Sequence, residues 1–177
     1  VPVSIPVEHP AIAVAETVYN LTHLNAFWAA IPGKGIGHSK DLDVFVVFSN
    51  HVYTERTKHG QLHHISDHNG NKRTFDADRY EMSKALVDAV RQSISVNSLT
   101  HVSKSYGGTD NLVFIEDADG RKWAVVYCLV PHEDGRSVRM EILSCHPKVI
   151  DQKSISRRNL SYFARMCLYQ NVRTPKT

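Results

Sequence analysis

The chain has 177 residues, 42% of them apolar, enough for one sizeable core but not for two independent ones. No apolar run approaches the roughly 20 residues that span a bilayer, and no basic start with an apolar core marks a targeting segment. The net charge of +3 is uneven, because seven Lys or Arg between Lys148 and Thr177 face the single acid Asp151, which leaves the rest of the chain acidic and points to a phosphate-bearing partner for the basic block.

Val1 to His9 holds two prolines, with a third next to it at Pro10, and reads as an extended lead-in. Val14, Val18, Leu21, Leu24, Ala26 and Trp28 recur at near-helical spacing, which predicts an amphipathic helix over Ala11 to Ala30. The glycine-rich stretch 31–41, IPGKGIGHSKD, lacks the phosphate-loop pattern and precedes a strand, so it reads as a connector. Residues 1–41 are thus an N-terminal helical extension and connector, and 42–177 the main domain.

Val44 to Phe48 is an unbroken β-branched and aromatic run, the pattern of a strand covered on both faces. Ser49 or Asn50 can cap a short helix after it, on which His51, Glu55, Lys58 and His59 would share a face beside Arg56. Asn69-Gly70 signals a tight hairpin turn. Asp76 reads as the N-cap of a helix over Arg79 to Ile94, with Met82, Leu86, Ala89, Val90 and Ser93 or Ile94 inward. Four strands follow, Leu99 to Ser105, Asn111 to Glu116, Lys122 to Val130 and Ser137 to Leu143, separated by YGGTD, DADG and PHEDG. Ser154 opens a last helix with Ile155, Leu160, Phe163, Met166 and Cys167 on its apolar side. The expectation is α+β, a central antiparallel sheet, about a four-stranded meander, with helices on one face. Cys128, Cys145 and Cys167 are odd in number and lack CxxC spacing, which argues against a disulfide framework or a thiolate zinc site and for a reducing compartment, the cytoplasm.

The strand running into VYTERTKHG, the helix EMSKALVDAVRQSI, the strands NLVFIEDADGRKWAVVYCLV and VRMEILSCH, and the helix SISRRNLSYFARMCLY come in an order that resembles the phage and toxin members of the barnase, EndoU and RelE-like (BECR) nuclease superfamily, over roughly Asp43 to Tyr169. The resemblance implies a metal-independent endoribonuclease that needs no cofactor and turns the RNA 2'-hydroxyl onto the adjacent phosphate. It also implies an immunity or antitoxin protein as a candidate partner, and a domain often found at the end of longer chains, which a start at Val1 would suit. Such chemistry takes a base, an acid and cations for the phosphorane charge. Carried over by position, His59 matches the Lys-His step at the end of the first helix, Arg56 and Lys58 would steady the phosphate, and His51 is a second candidate for proton transfer. Ser144 and His146 sit where the last strand runs out. Glu141 is an alternative base, but in a regular strand it would face away from Ser144.

RNA, tRNA among the candidates, would approach the histidine-rich helix, with Arg157, Arg158 and Arg165 of the basic C-terminal helix on its backbone, Lys104 beside it and Tyr106 as a stacking platform. A rival metal reading uses His63, His64, Asp67 and His68 as zinc or nickel ligands, without the spacing of a known catalytic motif. Two further readings stand beside the nuclease: a non-catalytic binding module (inhibitor or phage accessory protein), and another phosphate-handling transferase. Neither they nor the nuclease involve a membrane.

Overall fold

The computed structural model describes residues 5–106, 109–118, 121–147 and 157–176. In chain order it holds β1 (Ile12–Val14), β2 (Thr17–Tyr19), a 3-10 turn (Thr22–Leu24), β3 (Phe27–Ile31), β4 (Leu42–Phe48) and a second 3-10 turn (Asn50–Val52). Next come β5 (Thr54–Arg56), β6 (Ile65–Ser66), β7 (Lys72–Phe75) and α1 (Ala77–Ser95). The second half holds β8 (Leu99–Tyr106), β9 (Thr109–Ala118), β10 (Arg121–Pro131), β11 (Val138–His146), β12 (Arg157–Asn159) and α2 (Leu160–Gln170).

The architecture is α+β and dominated by strands. β8, β9, β10 and β11 lie side by side and antiparallel inside a seven-stranded sheet ordered β12-β8-β9-β10-β11-β4-β3. The sheet is mixed rather than purely antiparallel, because β4 pairs parallel with β11 from Val44↔Val138 to Phe48↔Ile142. A parallel neighbour needs a long crossover, and α1 with β8, β9 and β10 provides it. The position of β4 between two neighbours explains its apolar run.

The N-terminal helix is a correction. Ala11 to Ala30 forms a β1–β2 hairpin, a 3-10 turn and β3, which pairs antiparallel with β4 from Phe27↔Val46 to Ile31↔Leu42. Ala15, at φ 53°, makes the hairpin turn. Leu21, Leu24 and Ile31 enter the main core, so this segment is built into the domain and is not a helical extension of it.

Both helices pack on one face of the sheet. There Val44, Val46, Phe48, Val125, Tyr127, Leu129, Met140 and Ile142 share a core with Leu86, Val90 and Ile94 of α1 and Leu160, Phe163 and Cys167 of α2. The other face carries a smaller cluster, Val113, Ala124 and Val126 with Leu143, which includes no helical residue. Asp76 caps α1 as expected, its carboxylate accepting the Arg79 amide at 3.0 Å. At the other end Ser154 and Ile155 lie outside the described residues, and α2 starts only at Leu160. Arg157 and Arg158 therefore sit on β12, an exposed edge strand paired with β8, and only Arg165 is helical. No helix among the described residues is long and apolar enough to cross a membrane.

Candidate functional site at the carboxyl ends of two parallel strands

The chain leaves β4 beside β11, where the Ser49 amide donates to the Ile142 carbonyl at 2.8 Å. Ser49 then caps the turn, its hydroxyl accepting the His51 amide at 3.3 Å. The helix read into this stretch stops after that one turn. β5 takes over at Thr54 because Thr54, Glu55 and Arg56 pair with Phe75, Thr74 and Arg73 of β7, a sheet ordered β5-β7-β6. His51, Glu55, Lys58 and His59 therefore do not share a helical face. Arg56, Lys58 and His59 are exposed, and the Lys58 ammonium lies 3.4 Å from the Glu55 carboxylate.

What the small sheet brings to His51 is Asp67. The β6–β7 turn is the hairpin that Asn69-Gly70 signalled, with Gly70 at φ 80° and its amide on the Asp67 carbonyl. The Asp67 carboxylate is buried inside the turn, one oxygen accepting the Asn69 and Asn71 amides at 2.9 Å each, the other the Asn71 side-chain amide at 3.2 Å and His51 Nε2 at 2.9 Å. Burial would raise its pKa, but the bonds from His51, Asn71 and Asn69 outweigh it and hold the carboxyl at about 2. Asp67 is thus an ionised acceptor, which puts the His51 proton on Nε2. Burial lowers the His51 pKa against the opposing pull of Asp67, with Arg73 and His68 adding to the lowering, so the ring is neutral at pH 7. Its Nδ1 is left as an acceptor without a partner among the described residues, on a side chain 28% exposed. The Arg79 guanidinium ties the backbone below it, donating to the His51 and Thr54 carbonyls at 3.1 and 3.0 Å. Arg73, buried, donates to the Thr54 carbonyl and hydroxyl.

Ser144 and His146 end the neighbouring strand, with Ser144 Oγ and His146 Nε2 3.0 Å apart. Register places them. Glu141 faces Cys128, Ile142 faces Tyr127, but Ser144 faces Val126, so Leu143 is an extra residue in β11. This β-bulge returns Ser144 and His146 to the face that carries Arg139 and Glu141. The separation expected of a regular strand is thus corrected: these four residues line one face. Arg139 donates to Glu141 at 3.1 Å and to the Ile5 carbonyl at 2.7 Å, which fastens the N-terminal segment.

That segment contributes residues the sequence did not single out. His9 lies 2.9 Å from the Phe48 carbonyl and edge-on to Tyr53, its pKa lowered by burial. With Asn50, Tyr53, Asp67 and His68 it lines a cavity of about 230 Å3 beside the His51 turn. The Asn50 amide nitrogen donates to the Ser66 carbonyl, and its buried Oδ1 has no partner among the described residues. Pro6 and Pro10 around His9 marked only an extended lead-in.

The metal alternative is not assembled. His64 Nδ1 accepts the Phe75 amide at 3.1 Å, Asp67 is committed to its turn and His51, and among the described residues no three His, Cys, Asp or Glu side chains converge on a common point. Of the residues assigned to RNA, Arg157 and Arg158 line the β12 edge, with Arg158 5.8 Å from the Tyr162 ring, and Arg165 lies on α2. Lys104 and Tyr106 belong to β8, and their side chains lie outside the described residues.

A protein-family model described as the YjaZ family matches residues 10–172, nearly the whole chain. No curated protein and no solved structure matches.

Proposed function

The chain belongs to the YjaZ family, whose name states no reaction, and from the site itself we propose that the protein is a metal-independent endoribonuclease of the phage or toxin type. The observation that carries this reading is His51, oriented by a buried, ionised Asp67 with Nδ1 left as an acceptor, at the end of a strand adjacent to the one that ends in Ser144 and His146. The resemblance of the sequence from Asp43 to Tyr169 to the BECR nucleases is in keeping with the same reading.

In the proposed reaction His51 Nδ1 takes the proton of the 2'-hydroxyl, and Asp67 stabilises the imidazolium that forms. The 2'-oxygen attacks phosphorus, the bond from phosphorus to the 5'-oxygen breaks, and His146 in its protonated form gives that oxygen its proton. The products are a 2',3'-cyclic phosphate and a free 5'-hydroxyl. Arg79 is the cation tied to the His51 turn and favours the charge that builds on the phosphorane. His59, Arg56 and Lys58 take no part in this version. The three free, buried cysteines suit a reducing compartment, the cytoplasm of a producing or target cell.

The test is incubation with total RNA and with tRNA in excess EDTA, wild type beside His51→Ala, His146→Ala and His59→Ala, with fragment ends analysed. Cutting that survives EDTA, leaves cyclic phosphate ends, disappears in the first two variants and persists in the third supports the proposal. RNA that stays intact with and without added metal ions removes it in favour of a non-catalytic binding module, and a modified acceptor in place of shortened RNA removes it in favour of a transferase.

A further inference from the structure

At the opposite end of the same parallel pair the structure has a second concavity. β4 and β11 start side by side, so Lys40, just before β4, and Arg136, just before β11, come to one edge. α2 lays Arg165 and, one turn later, Tyr169 against them. Together with His38 and Asp41 these residues line a cleft of about 330 Å3, within the range of small-ligand sites. Six residues of β4 separate it from the His51 turn, which at about 3.3 Å per residue is about 20 Å.

The charge in the cleft is unbalanced. The Lys40, Arg136 and Arg165 side chains have no carboxylate partner among the described residues. Asp41, the one acid on its wall, directs a carboxylate oxygen to the Gly33 amide at 2.8 Å. The glycine-rich loop that forms this wall is held in shape: the Lys34 amide donates to the His38 carbonyl at 2.8 Å, and a Cβ at Gly33 would run into the Ser39 backbone. Two guanidinium groups and an ammonium suit a phosphate dianion, the guanidinium groups through paired N–H donors. Tyr169, 71% exposed at the rim and without a ring contact among the described residues, offers its face to a planar group.

We infer that this cleft binds a nucleotide, its phosphate on Lys40, Arg136 and Arg165 and its base on Tyr169, at a site separate from the His51 turn. The loop does so without a phosphate-loop sequence, because side-chain cations from three elements take the place of backbone amides. The nucleotide is either free or the 5'-phosphorylated end of an RNA strand.

Isothermal titration at low ionic strength with AMP, adenosine, inorganic phosphate and a 5'-phosphorylated RNA trinucleotide tests this. AMP is expected to bind saturably and adenosine at least tenfold more weakly. Arg136→Glu and Lys40→Glu should each raise the AMP Kd at least tenfold, as should Arg165→Glu where circular dichroism shows it folded. Tyr169→Ala should weaken AMP several-fold and leave inorganic phosphate unchanged. His51→Ala should bind AMP like wild type, so loss of RNA cutting and loss of this site are read separately. A trinucleotide that binds more tightly than AMP assigns the cleft to RNA ends, and the reverse order assigns it to free nucleotides. The inference is overturned if neither AMP nor the trinucleotide binds saturably, or if Arg136→Glu and Lys40→Glu bind AMP as well as wild type does.

Discussion

Replacing Asp67 by Asn tests the feature on which the His51 site rests. The substitution keeps the shape of the side chain but removes the charge and turns one acceptor into a donor, which then faces the His51 and Asn71 donors. The native carboxyl is held at about 2 against an ordinary value of 3.8. At about 1.4 kcal/mol per unit, the ionised form contributes about 2 kcal/mol to stability at neutral pH. Because the native pKa is depressed, this contribution is complete above the unfolded value near 4 and is lost as the pH falls towards 2. His51 acts in the same direction: its native pKa lies below 6.5, so stability present above that pH is lost as the unfolded state takes up the proton. Urea unfolding of wild type and Asp67→Asn should differ by about 2 kcal/mol at pH 7, and by less than half of that at pH 2.5. In NMR the His51 ring should titrate at lower pH in the variant, having lost the group that raises its pKa. Equal stabilities at pH 7 would refute the reasoning, and so would a gap undiminished at pH 2.5, since that loss would be one of packing and not of charge.

Deleting Leu143 removes the bulge without turning the strand over: Ile142 is then followed directly by Ser144 opposite Val126, so Ser144 and His146 keep their face and Cys145 stays on the helix side. The expected result is a folded protein that loses roughly 1 to 3 kcal/mol in urea unfolding through the Leu143 contacts with Val113, Ala124 and Val126, a loss similar to that of Leu143→Ala, and failure of the deletion variant to fold while Leu143→Ala folds would refute the register. Asp76→Ala should cost about 1 kcal/mol by freeing the Arg79 amide, measured as a shift in the urea midpoint without a change in slope. Burial raises the Cys128 and Cys145 thiols to about 12 and Cys167 to about 11, so at pH 8 the native protein should be inert to a disulfide reagent, with three thiols titrating only after denaturation.

The parts of the fold legible in the sequence are those in which a local preference and the tertiary structure agree. Val44 to Phe48 is β-branched and aromatic because β4 has a neighbour on each side, and Asn69-Gly70 and Asp76 mark a turn and a cap whose chemistry lies within four residues. The misread segment is one in which they disagree. Val14, Val18, Leu21 and Leu24 fit a helical repeat, yet the same residues serve a hairpin, a 3-10 turn and the approach to β3, whose partner β4 is supplied from beyond the glycine-rich loop. β5 is similar, since Thr54-Glu55-Arg56 carries little strand preference and is extended because β7 pairs with it. His51 was legible as a residue of a capped turn. The link from its ring to Asp67 was not, because it spans 16 residues and depends on how the β6–β7 turn folds back.

The bulge at Leu143 shows most directly why a site can stay hidden when every residue in it has been noticed. Glu141, Ser144 and His146 were all in view, and strict alternation divides them between two faces. One unpaired residue reunites them, and nothing in the composition of LSCH announces it; only the register against β10 does. The bulge also lets Cys145 rejoin the helix-side core with Met140 and Ile142, so the strand keeps its buried face through the irregularity. The same insertion thus serves packing and chemistry together. It lies next to the point where the Ser49 amide binds the Ile142 carbonyl, so β11 changes phase where β4 ends and the His51 turn begins. That coincidence brings a hydroxyl and two imidazoles to one end of the sheet, although neither strand taken alone would have placed them there.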